Sequence, residues 1–189
     1  MKATWCFVAV GLGLVSAVEV AEVNAQAPCP WPAPPQLLAD RPSLPDSAMV
    51  EIGANTMKLC YSRPSARGRT IFGELVPFGR PWRTGANEPT MLHLSANAIV
   101  AGVALNAGTY ILLTVPGEDK WQILFNTTTA SNPDEMFNAL TEVGRGEVPV
   151  ERTSEYVETL TIRFEQDPSP ELVLEWENTR VRVPIDSSS

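Results

Sequence analysis

The sequence predicts a mainly β protein: an antiparallel β-sandwich or jelly-roll-like single domain over residues 47–185, with one or two short helices. The first observation is that apolar and polar side chains alternate along many short segments, as in a strand with one buried face. The second is that Gly and Pro residues separate these segments at short intervals. The third is TYILLTV at 109–115, which is apolar on both faces, as in a strand enclosed within a packed structure. Such patterns are typical of sandwiches and barrels.

The first predicted element is a hairpin. Residues 49–53 and 56–62 form its strands, and Gly53 or Asn55 supplies the turn. Alternate residues from Met57 onward face one way and their neighbours the other, so the second strand is expected to be half-buried. Further strands are predicted at 90–95, 98–100, 103–105, 109–115, 120–126, 147–152, 157–165, 171–177 and 180–185.

Two segments favour short helices. Residues 68–76 could form one or two turns. Residues 132–140 begin with Asn132 in the N-cap position and Pro133 in the first helical position, followed by two acidic residues in the first turn.

The N-terminus predicts a signal peptide over residues 1–25. Lys2 supplies a positive charge, and the apolar stretch 5–18 is shorter than the ~20 residues needed to span a membrane. Small residues allow cleavage after Ala25 or Ala27, and Pro28 makes the first site the better one. An uncleaved anchor is the alternative. Export by cleavage predicts a periplasmic or secreted protein with no integral membrane span left.

The charge balance is acidic. The full sequence has a formal net charge of −8, and it stays acidic when Lys2, Glu19 and Glu22 leave with the signal peptide. A generic nucleic-acid binder would carry a basic excess, so no nucleic-acid partner is expected.

Cysteine usage agrees with an oxidising compartment. Cys6 lies in the signal peptide, so the exported chain keeps Cys29 and Cys60, for which we predict a disulfide bond; two free thiols are the alternative. Cys29 lies in the proline-rich segment 26–46, which we interpret as an extended linker or arm because proline resists both helix and sheet pairing. Residues 186–189 are interpreted as a flexible tail.

A set of short motifs carries a resemblance to a known family, at residues 61–64, 68–69, 71–73, 75–79, 82–88, 107–110, 115–117, 121, 172–177 and 179–181. The chain resembles the bacterial Domain of Unknown Function 2911 family over roughly residues 47–185, and the resemblance implies an exported, mainly β protein without an established activity. Asn106 stands where the family usually has a proline, which changes a turn and not the chemistry.

Most common catalytic and metal-binding patterns are not found. His93 is the sole histidine, it is expected to point to solvent, and no Gly-x-Ser-x-Gly motif accompanies it. With one histidine and two remaining thiols, no metal site is expected. The sequence has no Walker loop, dinucleotide fingerprint or EF-hand spacing, so no cofactor is expected.

A cluster of arginines stands out in this acidic chain. Five lie within 63–83, and guanidinium groups bind carboxylate, phosphate or sulfate in paired fashion. A tryptophan beside an arginine suits the stacking of a sugar or a planar ligand. We therefore hypothesise a noncatalytic binding or scaffold module of the envelope that takes a small anionic or saccharide ligand. The candidate binding residues are Arg63, Arg69, Trp82, Arg83, Asn87 and Glu88.

Two alternatives stay open for the same loop. In the structural alternative, its arginines pair with Glu175, Glu177 or Glu88, and Trp82 closes the end of the sandwich. In the enzymatic one, a small hydrolase uses Glu88 as acid or base while Arg83 stabilises developing negative charge. No spacing in the sequence selects the hydrolase, so the prediction leans away from an enzyme.

Overall fold

The computed structural model describes Cys29, residues 34–127 and residues 137–187. The predicted signal peptide, the N-cap predicted at Asn132 and the last residues of the predicted tail lie outside the described residues. The elements are α1 Pro35–Ala39, β1 Leu44–Ile52, β2 Asn55–Arg63, β3 Met91–Leu94, β4 Ala98–Val100, β5 Val103–Leu105, β6 Gly108–Val115, β7 Lys120–Asn126, a 3₁₀ helix Ala139–Thr141, β8 Glu142–Glu165 and β9 Glu171–Ser187.

The strands form one nine-stranded antiparallel sheet in the order β1-β2-β3-β6-β7-β8-β9-β4-β5, which confirms the mainly β prediction. Strand β8 has 24 residues and belongs to two parts of this sheet. Its first part, 142–149, pairs with β7, and its second part, 150–165, pairs with β9. The sheet thus folds back on itself, and the two layers enclose one main core.

Large apolar side chains from both layers fill that core. Trp121 from β7 and Trp176 from β9 are each 2% exposed, and Phe125 and Leu172 are fully buried between the layers. Burial of side chains of this size is the dominant favourable term in folding. No helix among the described residues is long and apolar enough to cross a membrane.

The predicted hairpin is confirmed. Strands β1 and β2 pair from Leu44↔Arg63 to Ile52↔Asn55, and Gly53 takes a φ of +62° in the turn, which suits a residue without a Cβ. The half-buried expectation for β2 is wrong, since Cys60 and Ser62 on its outer face are fully buried. The reason is that Cys60 is covered through its disulfide to Cys29, and Ser62 is covered by the close approach of Gly85.

Three local predictions need correction. The segment 26–46 contains α1 and the start of β1, because prolines suit the first turn of a helix and Leu38 gains a buried position. Residues 68–76 form turns and a bridge between Phe72 and Val76 in place of a helix, with Gly73 at a φ of +96°. The strands predicted at 147–152 and 157–165 are continuous in β8, and those at 171–177 and 180–185 are continuous in β9. Shifts of register within β8 and β9 explain why their sequence patterns look interrupted.

Candidate functional site

The candidate residues lie at the last position of β2 and in the connection that leads from it toward β3. We call residues 63–88 the Arg/Trp loop. The loop contains no helix and is held at two points by isolated bridges to the sheet. Ser65 pairs with Thr159 of β8, and Trp82 pairs with Thr114 of β6. The loop therefore contacts both layers of the fold.

The first three arginines of the loop use their donors on their own chain. Arg63 donates through Nε to the Leu160 carbonyl at 3.1 Å and forms an ion pair with Asp46 at 3.3 Å. Arg69 donates to the carbonyl oxygens of Ser65 and Ala66 at 2.8 and 2.9 Å. Arg67 donates to the Pro42 carbonyl at 3.0 Å. These contacts fasten the loop and leave fewer donors for a ligand.

Trp82 belongs to an aromatic cluster with Phe72, Trp121 and Trp176. Its ring lies 5.9 Å from that of Trp176 in a stacked arrangement and 6.1 Å from that of Phe72, edge to face. Its indole N–H donates to the Gly85 carbonyl at 3.2 Å. Trp82 thus packs against the main core with one ring face, and it is only half-buried.

Glu88 and Asn87 contact the segment that precedes β1. Both oxygens of Glu88 accept from Arg41 Nη1, at 2.6 and 2.7 Å, and Glu88 is only 8% exposed. Asn87 donates to the Ser43 carbonyl at 3.2 Å. The structure places the charge of Glu88 against Arg41 and not against Arg83.

The arm and the Arg/Trp loop are therefore docked on each other. The Cys29–Cys60 disulfide, with a Cα–Cα distance of 5.8 Å, confirms the predicted bridge and fixes the arm to β2. The ion pair of Arg41 with Glu88 continues this contact. Arg41 was missed by sequence reasoning because 47 residues separate it from Glu88 and no local pattern links them. The predicted disulfide was the one sequence feature that indicated contact between the arm and β2.

Arg80 and Arg83 keep unused donors. Arg80 is exposed and makes no hydrogen bond or ion pair with the part of the chain that the structure describes. Arg83 donates only through Nη1, to the Asn87 carbonyl. Trp82 and Thr114 exchange backbone hydrogen bonds of 2.7 and 3.0 Å, so residues next to Trp82 face away from the aromatic cluster. Arg83 lies on that opposite side.

The two strand glutamates predicted to brace the loop have other roles. Glu177 accepts from the backbone N–H groups of Ile71 and Phe72, at 2.9 and 3.3 Å, so it braces the loop backbone and not an arginine of it. Glu175 pairs with Arg163 and Arg180 of β8 and β9. The prediction that these acids pair with loop arginines is wrong because nearer partners are available.

Glu175 is part of a network of ion pairs across β8 and β9. Arg182 extends it by pairing with Glu165 and Glu171 at 2.7 and 2.9 Å. Burial alone raises the pKa of Glu175, but hydrogen bonds from Arg163 and Arg180 outweigh burial and hold this pKa below its ordinary value of 4.5. This network therefore favours the charged form of Glu175, which is only 9% exposed.

We expect Glu175→Gln to lower the free energy of unfolding at neutral pH. The variant should also lose less of this free energy than the wild type does as the pH falls. The folded pKa is depressed, so the contribution of Glu175 is complete above about pH 4.5 and is lost as pH falls through the folded pKa. Removing the carboxylate leaves two arginines without this partner and costs about 2–4 kcal/mol at pH 7. Urea unfolding between pH 7 and pH 3 measures this effect. Glu147→Gln removes an exposed carboxylate whose pKa is also lowered by its hydrogen bond from Lys120. Because solvent screens this exposed pair, the variant should weaken the slope much less than Glu175→Gln, and an equal effect of both would contradict the assignment.

His93 is half-buried and not directed freely to solvent, contrary to the expectation. Its Nδ1 lies 2.7 Å from Thr109 Oγ1, and its Nε2 is buried without a hydrogen-bond partner among the described residues. Burial, with the positive charge of Lys58 as a second cause, lowers the pKa of His93 below 6.5. The neighbouring strands β2 and β6 place Lys58 and Thr109 directly beside it.

Among the described residues, no group of three or more acidic, histidine or cysteine side chains is arranged to hold a metal ion. The comparisons with curated proteins and with solved structures found no match. A family model described as "Protein of unknown function (DUF2911)" matches residues 43–185, which is most of the chain. The chain therefore belongs to the DUF2911 family.

Proposed function

We propose that this protein is an exported, noncatalytic binding module of the bacterial envelope, periplasmic or secreted, whose Arg/Trp loop binds a small anionic ligand at Arg83. The disulfide between Cys29 and Cys60 supports export, because such bonds persist in oxidising compartments. The apolar stretch at the N-terminus supports it as well.

One observation carries the binding role. Arg63 and Arg69 each use two or more of their N–H groups on the chain, whereas Arg83, like the exposed Arg67, makes a single side-chain contact and keeps its remaining N–H donors. A planar guanidinium group with free donors binds phosphate, sulfate or carboxylate through two parallel hydrogen bonds. The loop thus presents a fixed cation in an otherwise acidic protein.

The choice of an anion over a saccharide follows from Trp82. A stacking platform needs an open ring face, and one face of Trp82 already lies against Trp176. The saccharide alternative requires the ligand to use what remains exposed of this half-buried ring.

The hydrolase alternative is weaker because of the pairing of Glu88. A general base needs a carboxylate that can take up a proton from its substrate. Both oxygens of Glu88 contact Arg41, and the side chain is 9% exposed, so neither oxygen is open to a substrate. This arrangement suits docking of the arm better than proton transfer.

We expect Arg83→Ala to abolish thermal stabilisation by anions without unfolding the protein. The measurement is the midpoint of thermal unfolding for the chain from Gln26 onward, with sulfate, phosphate, acetate or neutral saccharides added. An anion at 100 times its dissociation constant adds about 2.7 kcal/mol to the wild type.

Arg80→Ala is the matched control, since it removes the same charge three residues before Arg83 and leaves Arg83 in place. It should keep the anion response. If Arg83→Ala lowers the stability of the unliganded protein by several kcal/mol, Arg83 is a structural residue and the proposal fails. Thermal stabilisation by saccharides alone would instead indicate that the ligand binds at Trp82.

A further inference from the structure

The chain from Arg83 to Thr90, at the end of the Arg/Trp loop, closes on itself just before β3. The Thr90 N–H donates to the carbonyl oxygen of Arg83 at 3.2 Å, and the Thr90 hydroxyl donates to the carbonyl oxygen of Thr84 at 2.8 Å. The Thr90 carbonyl in turn accepts from the Leu112 N–H of β6 at 2.8 Å. These contacts tie the backbone of Arg83 to the sheet, but they do not by themselves fix its side chain.

Two residues of this closed segment have left-handed backbone conformations. Thr84 has a φ of +57° and Asn87 has a φ of +58°. This region is rare for a β-branched residue, so the surroundings have to hold Thr84 there. Thr84 is fully buried, and its hydroxyl donates to Thr114 Oγ1 at 3.1 Å. Asparagine enters the left-handed region more readily than most residues, so Asn87 suits its position through its backbone as well as its side chain.

Asn87 connects the arm to Arg83 through two different groups. Its side-chain amide donates to the Ser43 carbonyl at 3.2 Å, and its own carbonyl oxygen accepts from Arg83 Nη1. Ser43 directly precedes Leu44, the first residue of β1, so the amide is fastened to a fixed part of the chain. Because the amide already has this partner, Asn87 suits the support of Arg83 better than direct contact with a ligand.

A guanidinium group that is held on one side binds an anion on the other side at a lower cost. A free arginine side chain samples many rotamers, and a ligand that binds it has to fix one of them. Here the contact of Asn87 with Nη1 already restricts the Arg83 side chain and gives its remaining N–H donors a defined direction. Such preorganisation strengthens binding without adding a contact to the ligand.

We infer that Asn87 is a positioning residue of the anion site, which orients the guanidinium group of Arg83 and does not itself contact the ligand. This inference rests on the proposed function, because Asn87 acts through Arg83. It gives Asn87 a role other than the direct binding role predicted from the sequence.

The test compares Asn87→Ala with Asn87→Gly in the chain from Gln26 onward, with sulfate as the probe and titration calorimetry as the measurement. Both variants lose the side-chain amide, but glycine adopts a positive φ readily and alanine does not. Asn87→Ala should therefore weaken sulfate binding about tenfold, and Asn87→Gly should weaken it only about threefold. Recovery by glycine is expected because it restores the backbone conformation that directs the carbonyl of residue 87 toward Arg83.

Asn97→Ala is the matched control. Asn97 is an exposed asparagine in the connection between β3 and β4, and its side chain accepts from the Ala107 N–H at 2.9 Å. The variant also loses a side-chain hydrogen bond to the backbone, so it should lower the free energy of unfolding in urea and leave sulfate binding unchanged. A second measurement is the NMR order parameter of the Arg83 Nε–H without ligand, which Asn87→Ala should lower and Asn97→Ala should not.

The outcomes separate this inference from the proposed function. If the wild type binds sulfate through Arg83 and Asn87→Ala binds it equally well, or leaves the order parameter of Arg83 unchanged, the proposed function stands and the positioning role is overturned. Equal losses of affinity in Asn87→Ala and Asn87→Gly would also overturn it, since they would indicate that the Asn87 amide binds the anion directly. If the wild type binds no sulfate, both fail.

Discussion

Gly146→Ala is expected to lower the free energy of unfolding by about 3 kcal/mol or more. A Cβ at this position of β8 would lie 1.9 Å from the carbonyl oxygen of Ala101, in the turn between β4 and β5. That oxygen belongs to the backbone, so no change of rotamer relieves the clash, and the β4–β5 hairpin must move away from β8. Overpacking of this kind costs about 1–3 kcal/mol even where side chains can adjust.

Gly144→Ala is the matched control for this prediction. It lies two residues earlier on the same face of β8, where a new Cβ would meet a side-chain methyl group of Val103 at 2.8 Å. The clash involves a side chain, so we expect a smaller loss of about 1–2 kcal/mol. Urea unfolding of both variants measures the difference. Equal losses would show that the backbone contact at Ala101 does not limit the approach of the hairpin.

Removal of the disulfide is expected to cost about 3–4 kcal/mol. Cys29 and Cys60 are 31 residues apart, and a cross-link of this length removes that much loop-closure free energy from the unfolded chain. Cys29→Ser is the preferred variant because Cys29 is half-buried, whereas Cys60 is fully buried and its replacement would also disturb packing.

The measurement is unfolding in urea with and without a reducing agent. The reducing agent should destabilise the wild type by the same amount as Cys29→Ser does, and it should have no effect on the variant. Wild type that is equally stable in both conditions would show that the contacts of Arg41 and Leu38 alone hold the arm.

Much of the fold could be predicted from the sequence because its signals are local. The strands at 98–100, 103–105 and 120–126 have the predicted bounds, since Gly102 and Gly117 mark their ends. The continuity of β8 and β9 could not be predicted, because their register shifts near Val157 break the period of two. The order of strands in the sheet depends on pairings between distant segments, which no local pattern encodes.

The candidate site was predictable in its composition but not in its contacts. The arginines and Trp82 are visible in the sequence, but their partners are carbonyl groups and rings that only folding brings near. Arg41 and Glu88 illustrate this, since each looks like an ordinary surface charge until the arm is placed.

The bond between Cys29 and Cys60 also determines how the molecule transmits force. Tension applied to the chain ahead of residue 29 passes through this covalent link directly into β2, which has strands on both sides. The segment between the two cysteines, with α1 and β1, stands outside that load path. A module pulled from its N-terminal end would therefore take up the load first in β2, the second strand of the sheet, and not in the edge strand β1.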